Sequence, residues 1–129
     1  MNKKPVIVLV EDDDFISEMY ALKFKDGYDV HVARDGAEGL EMIKKVKPDL
    51  VLLDIILPQL DGFEVLERVK KEESVKDIPV ILLTNLGQKQ NVKKGLRLGA
   101  VDYVIKAHYT PSEVVEKVNK VLADAGRRA

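Results

Sequence analysis

The sequence contains no cysteine, which removes disulfide cross-links and every thiolate mechanism and suits a reducing compartment. It also lacks a charge imbalance. A formal net charge of −1 supplies no global field that would gather nucleic acid or an anionic membrane. Long hydrophobic runs are missing too. After Met1-Asn2-Lys3-Lys4 the first apolar stretch runs only from Pro5 to Val10, too short for a signal-peptide core or a membrane span. No internal repeat, low-complexity segment or interdomain linker interrupts the chain, and the lysine motif of a P-loop nucleotidase is absent. With 46% hydrophobic and 33% charged residues, disorder is excluded, and 129 residues suffice for one core. The expectation is a single domain over residues 1–129 that is soluble and intracellular, with no nucleic-acid binding and no membrane insertion.

What the chain does have is punctuated apolar runs. Leu50-Val51-Leu52-Leu53 has no polar alternation, so it reads as a strand buried on both faces, closed by Asp54. Pro5 to Val10 and Ile78 to Thr84 are two further continuous runs, the first ending on Glu11-Asp12-Asp13-Asp14. Tyr28 to Ala33 and Val101 to Lys106 alternate instead, the mark of edge strands. Between the strands lie helical patterns. One has Phe15, Ile16, Met19 and Tyr20 inward and an aspartate cap, and a second has Ala37, Leu40 and Ile43 inward. A third starts at Gly62 with Phe63, Leu66 and Val69 inward, and a last one opens on the capping box of Thr110-Pro111-Ser112-Glu113, with Val114, Val115, Val118, Val121 and Leu122 as its stripe. The helix expected from Gln88 to Leu98 is the weakest, with few apolar residues and a Gly95 that costs about 1 kcal/mol relative to alanine.

Five strands alternating with five helices predict a three-layer, doubly wound α/β domain with a parallel sheet. Continuous runs inside and alternating runs outside give the strand order 2-1-3-4-5, with a switch point between the first and third strands. In such a sheet the strand carboxyl ends open onto one crevice, where ligands bind. Those ends carry Glu11 and Asp12, then Asp54, Thr84 and Lys106. Alone, Asp54 reads as a turn marker, Asp12 to Asp14 as helix-capping acids, Thr84 as a strand residue and Lys106 as a surface cation. Together they place three carboxylates and an ammonium at one edge, and crowded carboxylates call for a hard cation such as Mg²⁺.

Val10-Glu11-Asp12, Leu53-Asp54 through Leu57-Pro58 to Asp61-Gly62, Leu83-Thr84, and Asp102-Tyr103-Val104-Ile105-Lys106 together resemble the receiver domain of bacterial two-component response regulators, over roughly residues 4–125. The resemblance implies a flavodoxin-like, CheY-like fold. It also implies that Asp54 is the phosphoacceptor, that Glu11, Asp12, Asp54 and the backbone carbonyl of Ile56 hold Mg²⁺, and that Lys106 neutralises phosphoryl oxygens. Thr84 would donate its hydroxyl to one of those oxygens, and Tyr103 would be the switch aromatic that turns inward when Thr84 moves. Partners implied are a sensor histidine kinase or phosphotransfer protein, in the cytoplasm. A downstream protein would be met through the face made by the helix from Gln88 to Leu98, the last strand and the last helix. Because the sequence stops as that helix stops, a stand-alone receiver is expected, signalling by protein contact or as a phosphorelay intermediate. It would not be an enzyme beyond self-catalysed phosphoryl acceptance and slow self-dephosphorylation. A pseudo-receiver that never takes phosphate is the alternative.

Three places depart from the family pattern. Ala107 and His108 follow Lys106, where the family usually has proline, often after a cis peptide. A cis bond before alanine costs about 3 kcal/mol, so either strain is tolerated there or the loop differs. Asn85 is bulkier than the small residue favoured after the threonine, which would crowd access to the acyl phosphate. The segment from Phe15 to Gly27 is about one residue short. Apolar Ile56 and Leu86 flank the site where water would approach, which predicts a slow loss of phosphate. Among other classes, a haloacid-dehalogenase-type phosphatase needs a second aspartate at position 56, which is isoleucine. A flavodoxin-like cofactor binder needs a phosphate-cradling loop where Glu11 to Asp14 would repel the phosphate.

Overall fold

The continuous apolar runs form the interior of one sheet. The computed structural model describes residues 3–126, and the tail from Ala125 to Ala129, for which the sequence pattern argues no element, falls largely outside the described residues. The elements in chain order are β1 (Val6–Val10), α1 (Asp14–Phe24), β2 (Asp29–Ala33), α2 (Gly36–Val46), β3 (Leu50–Leu53), α3 (Gly62–Lys71), β4 (Val80–Thr84), α4 (Lys89–Arg97), β5 (Asp102–Ile105), a short 3₁₀ turn (Lys106–His108) and α5 (Pro111–Asp124). All strands are parallel, in the order β2-β1-β3-β4-β5. The expected fold class and order are those observed.

Strand alternation divides the core in two. Val8, Val10, Val51, Leu53, Val80 and Leu82 face α2, α3 and α4, while Ile7, Leu9, Leu50, Leu52, Ile81 and Leu83 face α1 and α5. Every residue of β3 is fully buried, which is why that strand shows no polar alternation. Each such side chain contributes roughly 1.5–3 kcal/mol, enough for the sheet to hold its carboxyl edge in a fixed register. Of the expected α5 stripe, Val114, Val118 and Leu122 are buried while Val115 and Val121 are only partly buried against them, and the Thr110 capping box forms.

Two helix faces differ from expectation. Phe15 is 78% exposed, and the buried line of α1 is Ser17, Tyr20 and Phe24. Asp13 sets this phase, because its carboxylate accepts the Ile16 N–H and starts the helix one residue before Phe15. Ile16 and Met19 keep only partial contact with the core. On α2, Ala37 is exposed, and Gly36, Gly39, Leu40 and Ile43 face inward. The shortened segment after Phe15 is absorbed without disorder, since the carbonyl of Phe24 accepts the N–H groups of both Gly27 and Tyr28.

Gly62 fixes how α3 meets the sheet. A Cβ there would lie 2.2 Å from the Asp54 carbonyl oxygen and 2.6 Å from the Ile55 Cα, both rigid backbone atoms. The Gly62 N–H reaches the Ile55 carbonyl at 2.8 Å, so the close approach is itself a bond. Gly62→Ala is therefore expected to destabilise the fold by about 1–3 kcal/mol through overpacking, read as a lowered urea midpoint. A midpoint equal to wild type would show that the Asp54 loop tolerates displacement.

Candidate functional site

The acidic run after β1 divides its work. The Glu11 N–H bonds the Ala33 carbonyl at 2.9 Å, which holds its side chain at the β1–β2 edge, where it is 2% exposed. Asp12 is exposed, Asp13 caps α1, and Asp14 pairs with Arg34. Only the first two are therefore left facing the crevice. From β3 comes Asp54, 7% exposed, its N–H continuing the β1–β3 ladder to the Val10 carbonyl at 3.1 Å. One oxygen, Oδ1, accepts the Ile55 and Ile56 N–H groups at 2.7 and 3.3 Å. The other, Oδ2, meets the Lys106 ammonium at 2.8 Å.

Lys106 donates to Glu11 as well as to Asp54, and all three side chains are nearly excluded from solvent. Burial alone would lower the lysine pKa, but its hydrogen bonds to Asp54 and Glu11, reinforced by their charges, outweigh it and hold it above its ordinary value. Burial pushes the Glu11 carboxyl upward despite the hydrogen bond from Lys106. The sign for Lys106 is definite. A raised folded-state pKa means its stabilisation is complete below the unfolded value of 10.5 and is lost as pH rises through the folded one. Wild type is expected to lose stability above that pH more steeply than Lys106→Met, as measured by denaturant unfolding on either side of it. Parallel curves would remove Lys106 from the alkaline transition.

The three acids Glu11, Asp12 and Asp54 each present an oxygen within 4.8 Å of the others. One ammonium does not balance three carboxylates, and an all-oxygen set of this kind fits a hard divalent cation. Ile56 is one of the two residues whose N–H groups grip Asp54, and it is 63% exposed, which leaves its side-chain identity unconstrained by packing.

Thr84 ends β4 fully buried. Its Oγ1 accepts the Leu86 N–H at 3.3 Å, which leaves its own proton available to donate. Tyr103 is half-buried, and its hydroxyl donates to the Leu86 carbonyl. Burial, and then the charge of Asp54, raise its pKa. The loop after β4 is thus tied both to the Thr84 side chain and to β5. Its helix α4 buries only Gly95, where a Cβ would fall 2.5 Å from Leu82 Cδ1 and 3.1 Å from Tyr103 Cδ2. The glycine that looked like a helix defect is the seat for the Tyr103 ring.

After Lys106 the chain takes a trans route through the 3₁₀ turn, and no described peptide bond is cis. The strained cis bond raised for the Ala107 departure is therefore not adopted. Asn85 is exposed and its side chain turns to this loop, where Oδ1 accepts the Ala107 N–H at 3.1 Å. Sequence reasoning missed this contact, and it missed the direct bridge from Lys106 to Glu11. It also missed the cation–π contact of Lys94 over the Phe63 ring at 4.4 Å, which fastens α4 to α3. The only available signal was that Asn85 and Ala107 both depart from the family pattern at facing strand ends. A hollow of about 750 Å³ between α1 and the start of β2, with Lys4, Leu22 and Tyr28 in its wall, contains none of the Glu11, Asp12 and Asp54 set. Among the described residues no helix is long and apolar enough to cross a membrane.

A parallel doubly wound sheet with acids and a lysine meeting at its switch point defines a flavodoxin-like α/β domain with a charged crevice at its carboxyl edge. The family model for the response regulator receiver domain matches residues 7–119, and the chain belongs to that family. Among curated relatives, the DNA-binding dual master transcriptional regulator RpaA of Synechocystis is 40% identical over 92% of this chain and 48% of its own length. The phosphate regulon transcriptional regulatory protein PhoB of Pseudomonas aeruginosa is 38% identical over 93% of this chain and 52% of its own. The chain thus spans about half the length of the curated relatives it matches. A solved CheY-like response regulator receiver domain protein from Methanospirillum hungatei superposes with a TM-score of 0.88 at 29% identity, covering 95% of this chain and 96% of that one. Receiver domains generally use Mg²⁺, and this member keeps an acidic cluster able to hold a metal.

Proposed function

We propose that this chain is a phosphorylation-dependent signalling switch in which Asp54 accepts a phosphoryl group from a phosphohistidine on a sensor histidine kinase or phosphotransfer protein in the cytoplasm. The observation that carries the reading is Asp54 itself. It is a carboxylate 7% exposed at the carboxyl end of the central strand, gripped through Oδ1 by two backbone N–H groups and met at Oδ2 by Lys106. An Asp54 oxygen attacks phosphorus, the P–N bond to the imidazole breaks, and a carboxyl–phosphate bond forms. Lys106 balances charge on the phosphoryl oxygens as they arrive. Thr84 donates its free hydroxyl proton to one of them. Glu11, Asp12, Asp54 and the Ile56 carbonyl would hold Mg²⁺, which supplies positive charge against the phosphoryl group when bound.

Phosphorylation adds about two negative charges to the crevice and biases an equilibrium between existing conformations. The signal leaves through α4, β5 and α5, toward a downstream protein, because Tyr103 links the loop after Thr84 to the Gly95 face of α4. Whether that face serves a phosphorelay or a transcriptional output like those of RpaA and PhoB, the switch itself is the same.

The test is to incubate the protein with Mg²⁺ and acetyl phosphate and to map the modified residue by mass spectrometry. One phosphoryl group on Asp54 is expected. Its release should be slow because Ile56 and Leu86 present apolar surface to the attacking water. No modification, or modification elsewhere, would leave a pseudo-receiver. Rapid release would refute the role given to the two apolar neighbours.

A further inference from the structure

Backbone pairing between β4 and β5 ends with Thr84 opposite Ile105. Beyond that pair no further backbone pairing follows, yet a bond still joins the two chain segments, between Asn85, one residue past Thr84, and Ala107, two residues past Ile105. The Ala107 N–H donates to Asn85 Oδ1 at 3.1 Å. The two residues are matched chemically. A proline at 107 would have no N–H to give, and a small side chain at 85 would have no oxygen to receive it. Ala107 directly follows Lys106, whose ammonium bridges Glu11 and Asp54, and it lies in the 3₁₀ turn closed by the Tyr109 N–H on the Lys106 carbonyl. Asn85 directly follows Thr84, whose Oγ1 holds Leu86. Holding Ala107 therefore holds the backbone from which the lysine reaches the carboxylates.

We infer that Asn85 is a positioning residue for Lys106, joining the loops after β4 and β5 so that the threonine and the lysine of the site move as one unit. This rests on the reading of Asp54 as the phosphoacceptor. The bond is neutral and exposed, so its loss acts by loosening geometry rather than by unfolding the domain. A neutral hydrogen bond of this kind corresponds to about a three- to tenfold change in a rate that depends on it.

The experiment is a two-by-two comparison of wild type, Asn85→Ala, Ala107→Pro and the double variant, with two readouts. The first is amide exchange at Ala107 by NMR in unmodified, metal-free protein. Exchange should quicken several-fold in Asn85→Ala and stay near wild type in Asn85→Asp, which keeps an acceptor oxygen. The second is the rate of Asp54 modification by acetyl phosphate with saturating Mg²⁺. Asn85→Ala should slow it about three- to tenfold in the Ala107 background and leave it essentially unchanged once Ala107→Pro has removed the donor. A general structural defect would slow both backgrounds equally, and that result overturns the inference. Unaltered Ala107 exchange in Asn85→Ala overturns it as well, whatever happens at Asp54. Wild-type protein that takes no phosphate, with Ala107 exchange still governed by Asn85, would instead sink the phosphoacceptor reading and with it the role in catalysis, while the tie between the loops would stand.

Discussion

Asp54→Asn is expected to abolish phosphoryl acceptance while stabilising the metal-free protein by about 1 kcal/mol, the scale of one close like-charge repulsion in water. The amide has no nucleophilic carboxylate oxygen, so the loss of reaction is complete. Its Oδ1 still accepts the Ile55 and Ile56 N–H groups that hold the loop, so the backbone has no reason to move. The gain comes from charge. Three carboxylates face one ammonium in the wild-type crevice. Removing one of them leaves Lys106 with Glu11 as a full partner and relieves the repulsion of a crowded site. Guanidinium unfolding in chelator, alongside mass spectrometry after acetyl phosphate treatment, reads both effects. A strongly destabilised Asp54→Asn would mean that the Asp54–Lys106 bond is a structural pair rather than a site held under tension.

Lys106→Met should move stability the other way. Without the ammonium, Glu11 and Asp54 become buried carboxylates with no counter-charge, a loss of about 3–5 kcal/mol in metal-free buffer at neutral pH. Two treatments should recover much of it. Mg²⁺ supplies the missing positive charge. Mild acid protonates Glu11, whose carboxyl burial already pushes upward. The chemistry should not recover with the fold. Even with saturating Mg²⁺ the rate of phosphoryl acceptance should fall by about 10²- to 10³-fold, the usual effect of removing one preorganised electrostatic partner of a developing charge. Full recovery of the rate by Mg²⁺ would reduce Lys106 to a counter-ion for the resting site.

These opposite signs come from a part of the molecule that the sequence reveals only in outline. Leu50 to Leu53, Val80 to Leu83 and Ile7 to Val10 could be read as interior strands because burial on both faces leaves no polar alternation. Once strand order followed, the positions of Glu11, Asp12, Asp54, Thr84 and Lys106 at one edge followed too. Helix phase was less legible. Phe15, expected inward, is exposed while Ser17 is buried, because an apolar residue in the first turn carries no information about which side the cap will present to the sheet. Contacts between loops were not legible at all. Nothing periodic announces that Lys106 reaches Glu11 as well as Asp54, or that Asn85 turns its amide toward Ala107. Such pairs are set by the distance between strand ends, which depends on the whole sheet.

Because α4 buries only Gly95, the helix is located by a ring and a leucine that belong to its neighbours, together with the stacking of Lys94 on Phe63. Its remaining side chains are spared the duty of filling the core. Lys89, Lys93 and Arg97 are exposed and fill none of the core, so in the proposed switch a different downstream protein would be met by changing that surface alone. On that proposal, the chemistry of the crevice and the choice of audience would be written on residues that can evolve separately.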